Sequence, residues 1–259
     1  QPLVVENRVG SNGNIAIEQV ARAQADGYTL VLGADAQIVI NPHLYPAFPV
    51  DTLRDLAPIA SIATTFMMFT VNPAIPARTI QEFIDYARRA NPPLAYASIG
   101  SGSQHHLTME LFKQRTRIDM LHIPTKGTQA QELAAGRLDM SVGVSTSSMP
   151  FIKSGRIRVL AVTSSNRTSE FPHAQSVGED LSGYEVTSWL GLAAPAGTSP
   201  AIVERLSTEV RAILAQEDVK ARLSSLGAEP YGTTGSEFRE RIESDIKKWR
   251  ALAAKIKLD

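Results

Sequence analysis

The stretch from Leu94 to Phe112 constrains the fold most: an apolar run, a glycine and serine turn and a helix-period segment follow one another without a spacer. Leu94, Ala95, Tyr96 and Ala97 predict a buried strand, Gly100 and Gly102 free the backbone for a tight turn, and Leu107, Leu111 and Phe112 recur at helical spacing. The first turn of a helix has N–H groups without an intrahelical partner, and the macrodipole adds about half a positive charge there. A small anion suits such a junction. Two further strand-to-turn junctions have the same make-up, Ile123 to Thr128 and Val142 to Ser148, so three turns are expected to line one cleft.

Composition narrows the ligand. Lys plus Arg and Asp plus Glu stand at 26 each with no long run of either sign, which argues against a nucleic-acid or membrane-surface partner and for a small molecule. With 259 residues and 43% hydrophobic content the chain can bury one large core or two modest ones. No apolar stretch approaches the roughly 18 residues of a membrane span and no cationic-then-apolar leader opens the chain, so a soluble, unanchored protein is expected. The absence of cysteine excludes disulfides, thiolate nucleophiles and cysteine-ligated zinc without choosing a compartment. The histidines show no paired metal-ligand spacing, so neither a metal nor a cofactor is expected. Gly100 and Gly102 lack the third glycine of a dinucleotide fingerprint, and neither a phosphate loop nor a Gly-x-Ser-x-Gly elbow occurs.

Taken in order, Pro2 to Glu6 predicts a strand and Ile15 to Ala25 a helix, followed by a strand at Tyr28 to Gly33 with Ala34 to Gln37 at its carboxyl end. Asn41 to Asp51, with Pro42, Pro46 and Pro49, is an excursion without periodicity. Phe66 to Val71 predicts a strand, and Thr79 with Glu82 has capping-box spacing ahead of a helix to about Ala90. Met120 to Ile123, Met140 to Val144, Ile157 to Thr163 and Tyr184 to Ala194 predict further strands, with short helices before Gly136 and before Lys153. Ser199 and Pro200 open a helix with Ile202, Val203, Leu206, Val210, Ile213 and Leu214 on one face. Thr234 and Glu237 open a terminal helix through Phe238, Ile242, Ile246, Trp249 and Ile256. Strands alternating with helices imply an α/β fold of two mixed, mostly parallel sheets flanked by helices, with ligands beyond the strand carboxyl ends. The chain is expected to cross to a second lobe near Asn91 and return near Tyr184, giving a first lobe of residues 1–91 and 189–259 and a second of 92–188.

The run Val4, Val5, Glu6, Asn7, Arg8, then Gly10, Gly13, Asn14, Ile15, then Asp26, Gly27 and Tyr28 resembles the Bug proteins, periplasmic solute receptors of tripartite tricarboxylate transporters. The resemblance continues in order through Asn41-Pro42, Asn72-Pro73, Tyr96 to Ser98, Gly102-Ser103 with His106, Leu107 and Glu110, Lys126-Gly127, Gly155, Leu160 to Thr163, and Ala194 to Thr198. It implies a two-lobed type II periplasmic binding protein, monomeric and periplasmic, whose hinge closes on a small carboxylate or amide and whose partner is a membrane permease. It also implies a strand and a Pro-Gly-Gly turn ahead of Gln1 that lie against the ligand. By position it implies contacts from Gly100, Ser101, Gly102 and Ser103, from Thr125, Lys126, Gly127 and Thr128, and from Ala34, Asp35, Ala36 and Gln37 of the other lobe.

Ser145 at the third junction and Trp189 beside the return crossing complete the candidate set. Thr125 stands where the family usually has an aromatic residue, Gly143 where aspartate is common, and Asp35 where a small or hydroxylated residue is usual. Asp35 would repel a second ligand carboxylate, so it is expected to meet an amine, amide or hydroxyl. Two alternatives remain: an enzyme on the same fold with His105 or Lys126 as general base, and the effector-sensing domain of a regulator, which would need a DNA-binding segment. A histidine at a helix start more often packs or caps, and the receptor is the reading adopted.

Overall fold

The structure, a computed structural model, describes residues 3–45, 47–125, 129–168 and 170–253. In chain order the strands are β1 (Val31–Ala34), β2 (Leu56–Phe66), β3 (Met68–Val71), β4 (Ala95–Ser98), β5 (Leu121–Pro124), β6 (Met140–Gly143), β7 (Arg158–Val162), β8 (Gln175–Ser176), β9 (Thr187–Pro195) and β10 (Glu229–Pro230). They form a four-stranded sheet in the order β1-β9-β2-β10 and a six-stranded sheet in the order β5-β4-β6-β3-β7-β8. The chain divides into two compact units, with boundaries between Thr64 and Thr65 and between Ser188 and Trp189.

The first crossing therefore comes earlier than the expected Asn91. β3 pairs on both sides within the six-stranded sheet, with β6 and with β7, and carries the segment up to residue 91 into the second unit. The sheets are also less parallel than the alternating pattern suggests. In the first unit β1 runs antiparallel to β9 and β2 antiparallel to β10. In the second, β5, β4 and β6 are mutually parallel and β8 is parallel to β7, while β3 is antiparallel to both its neighbours.

In the first unit the helix Pro200–Leu214 lays Val203, Leu206 and Val210 on Ile59 and Ala60 of β2 and Ala194 of β9, whereas Ile213 is half exposed. The terminal helix Gly235–Ala253 buries Phe238, Ile242 and Trp249; Ile256 and Pro46 lie outside the described residues. Of the expected strand at Pro2 to Glu6, Pro2 lies outside the described residues, and among the described ones no strand is found: Leu3, Val4 and Val5 are exposed and pair with no described strand. The expected helix 15–25 is shorter, Asn14–Ala21.

The second unit's core centres on Phe69, Phe83, Phe112 and Tyr184, with the Phe69 and Phe112 rings 4.9 Å apart. The Tyr184 hydroxyl donates to the Thr108 carbonyl at 2.9 Å, so this aromatic is buried with its polar end satisfied. Fully buried Thr163 ties the chain entering this unit to the chain leaving it. Its amide donates to the Met67 carbonyl, its hydroxyl oxygen accepts from the Met67 amide, and its carbonyl accepts from the Val186 amide.

Candidate functional site

The three strands β5, β4 and β6 point the same way, so the turns that follow them emerge at one end of the sheet. Ser98, last residue of the central β4, organises the largest turn. Its carbonyl accepts the Thr125 amide at 2.9 Å and the Thr125 hydroxyl at 3.2 Å, which joins the second turn to the first. Its hydroxyl accepts the Gly100 amide at 3.1 Å and lies 2.9 Å from the Gly100 carbonyl. Gly100 and Gly102 take φ values of 134° and 76°, a region that side chains disfavour. Ser103 caps the helix Gln104–Thr116: its hydroxyl accepts the His106 amide at 3.3 Å and donates to the Gly100 carbonyl at 2.7 Å.

This wiring reassigns the donors that the sequence presents. The Gly100 amide is used by Ser98 and the Gly102 amide donates to Nδ1 of His106 at 3.0 Å, so neither glycine offers an N–H to a ligand. Among the described residues, the backbone amides of Ser101 and of His105, in the helix's first turn, are left without a partner. Ser101 is also exposed, so an anion can reach this end of the helix.

Beneath the turn lies a cluster that the sequence does not reveal. His106 and His122 stack face to face with ring centroids 4.0 Å apart and planes 6° apart, and Tyr96 continues the stack 5.0 Å from His122. His122 Nε2 lies 2.7 Å from the Ser98 hydroxyl. The Tyr96 hydroxyl and the Lys113 ammonium each donate to Glu110 at 2.7 Å, and His106 Nε2 stands 3.9 Å from the same carboxylate. Burial, reinforced by Lys113 and opposed by Glu110, holds the His106 pKa below its usual value. Burial works to raise Glu110, but the hydrogen bonds from Lys113 and Tyr96 outweigh it and the carboxyl lies below its usual range. Burial and Glu110 raise Tyr96. His105 is pushed down to about 4 by burial, with Nδ1 unpartnered. The β4–β5 register sets His122 beside Tyr96, and His106 reaches the pair from the helix that follows β4; no local spacing encodes that meeting.

The other candidates divide. Lys126, Gly127 and Thr128 lie outside the described residues. Ser145 is buried as first residue of the helix Ser145–Lys153, and Gly143 before it would place an added Cβ 3.4 Å from Gln129 Oε1. Ala34 to Gln37 belong to the first unit. There the Gln37 side chain accepts the Ala34 amide at 3.0 Å, and Asp35, only 1% exposed, precedes a π-helical turn, Ala36–Ile40. Trp189 is buried: its indole N–H donates to Asp245 at 2.8 Å and its ring meets Phe238 edge-on at 5.0 Å. A cavity of about 410 Å³ in the first unit, lined by His43, Val50, Thr52, Ile246 and Arg250 among others, includes none of the candidates. Among the described residues no cluster of His, Asp and Glu fits a metal, and no helix is long and apolar enough to cross a membrane.

Comparison with known proteins gives this geometry its context. The family model described as tripartite tricarboxylate transporter family receptor matches residues 1–258. Protein BugT of Bordetella pertussis is 30% identical over 265 residues, covering 99% of this chain and 81% of BugT. The structure of R. palustris Rpa4515 with adipate is similar at a TM-score of 0.82 and 33% identity, over 97% of this chain and 85% of that one. MatC from Rhodopseudomonas palustris with bound malate is similar at a TM-score of 0.78 and 26% identity, over 98% and 88%. These neighbours share the α/β fold of two mixed sheets flanked by helices, and they are receptors for solutes, not enzymes. A match that runs through 258 residues, with the fold to accompany it, puts this chain in the tripartite tricarboxylate transporter receptor family.

Proposed function

We propose that the chain is a periplasmic receptor that binds a small dicarboxylate in a cleft between its two units and delivers it to the membrane permease of a tripartite tricarboxylate transporter. The observation that carries this reading is the pair of unpartnered amides, Ser101 and His105, at the amino end of Gln104–Thr116. Two fixed N–H donors and the helix dipole match one carboxylate group without an arginine. Thr125 to Thr128 and Ala34 to Gln37 are the further contacts proposed, the latter from the first unit. The adipate and malate named for two relatives are both dicarboxylates and support this ligand class. Micromolar affinity requires about 8 kcal/mol of net binding free energy, within reach of several hydrogen bonds made only when both units touch the ligand.

A thermal-shift screen with adipate, malate, monocarboxylates, amino acids, aromatic acids, phosphorylated sugars and nucleotides tests the reading. A true ligand at a hundred times its Kd adds about 2.7 kcal/mol of stability. Dicarboxylate hits below millimolar concentration are expected. Hits confined to phosphorylated sugars or nucleotides would overturn the assignment.

A further inference from the structure

We infer that His106, backed by His122 and Tyr96, is the positioning residue of the carboxylate-binding turn, and that it holds the turn in its binding shape only while its imidazole is neutral. The inference rests on the receptor reading above for its ligand, and on the turn's own hydrogen bonds for its geometry. Nδ1 of His106 accepts the Gly102 amide at 3.0 Å, which fixes the neutral ring as the tautomer with its proton on Nε2. That bond fixes the chain immediately after Ser101 and before His105, whose amides are the donors left for an anion. The stacked His122 ring, held against Ser98 at 2.7 Å, keeps the His106 ring plane in place and ties it to the start of the same turn.

Protonation of His106 converts Nδ1 from acceptor to donor, and two donors then face each other at Gly102. The titratable and charged groups around the ring are His122 and Tyr96 on the neighbouring strands, Glu110 and Lys113 on its own helix, and Tyr184, which reaches that helix at Thr108. β6, also packed on the helix, contributes no ionisable side chain (Met140–Gly143). Glu110 alone would welcome the added charge, but it is already shared by Lys113 and Tyr96. Two effects then compete for the ligand: an imidazolium attracts an anion, while the broken tie releases the turn. The burial of His106 and its acceptor role at Gly102, at 3.0 Å, favour the second.

The test compares the wild type with His106→Asn, whose Oδ1 replaces Nδ1 as an acceptor that does not titrate. Affinity for adipate and malate is measured by calorimetry between pH 5 and 8; the ligands' own ionisation is common to both proteins and cancels in the ratio of their Kd values. Losing one hydrogen bond corresponds to about tenfold weaker binding, so the wild type is expected to lose about tenfold more affinity than His106→Asn on acidification. The Gly102 amide resonance, followed by NMR without ligand, is expected to shift with the titration of the His106 ring. A pH-independent Kd ratio, or a wild type that gains affinity in acid relative to the variant, overturns the inference. So does a Gly102 resonance that ignores the His106 titration. If neither dicarboxylate binds at pH 8, the receptor reading has failed for these ligands, and the Gly102 titration alone decides whether His106 holds the turn.

Discussion

Gly191 is a glycine because of the ring above it. A Cβ at this position would stand 2.0 Å from Cζ of Phe238, and the same ring packs edge-on against Trp189, whose indole is anchored on Asp245 together with Arg241. One aromatic from the terminal helix thus fills the space that a missing side chain leaves on β9. Gly191→Ala is expected to destabilise the protein by about 1–3 kcal/mol in urea unfolding, the usual cost of overpacking, and Phe238→Leu in the same chain should restore much of it. A double mutant no more stable than Gly191→Ala would locate the strain elsewhere. The same trio explains why Trp189 reads ambiguously from sequence. An aromatic beside a crossing suits a core anchor or a pocket wall, and the Asp245 carboxylate that its indole meets comes from the last helix, out of reach of any local pattern.

At the scale of elements, what a sequence shows is what is local. Thr79 accepts the Glu82 amide at 3.1 Å while Glu82 reaches back to the Arg78 amide at 2.7 Å, a variant of the capping box that the Thr-x-x-Glu spacing announces. Thr79→Ala is expected to cost about 1 kcal/mol by urea denaturation. Ser199→Ala, at the start of Pro200–Leu214 where no side-chain cap bond forms, should cost distinctly less. Equal losses would show that the cap bond contributes nothing. The strand–turn–helix at Leu94 to Phe112 is legible for the same reason, since strand, glycine turn and capping serine are contiguous. β2 is not, because its small residues and an internal Pro58 imitate no period, and its burial comes from Pro200–Leu214 far along the chain. The antiparallel pairing of β3 is equally silent, and this is why the first crossing reads too late. The candidate site divides likewise: the turn can be read, but the imidazole stack that wires it depends on strand register.

For the whole molecule, the question is what closes a unit that is inserted into another. The second unit takes up the chain between Thr65 and Ser188, and its two ends meet on one buried side chain. Thr163 hydrogen-bonds Met67 on the way in and Val186 on the way out: its hydroxyl lies 3.0 Å from the Met67 carbonyl and 2.6 Å from the Val186 carbonyl, and accepts from the Met67 amide at 3.0 Å. A single hydroxyl proton serves one of those carbonyls at a time, so the amide bond from Met67 is the contact with no substitute. Valine has nearly the same shape but cannot accept, and it would leave that amide buried and unpaired. Thr163→Val is therefore expected to cost about 1–3 kcal/mol, whereas Thr163→Ser, which keeps the oxygen, should lose less. Hydrogen exchange separates this from a general loss of stability: the Met67 amide should exchange faster in Thr163→Val than the shift in global unfolding explains, with the core amides of β4 following the global value. Uniform acceleration across the unit would mean that the two crossings are held by packing and that the threonine merely fills its place.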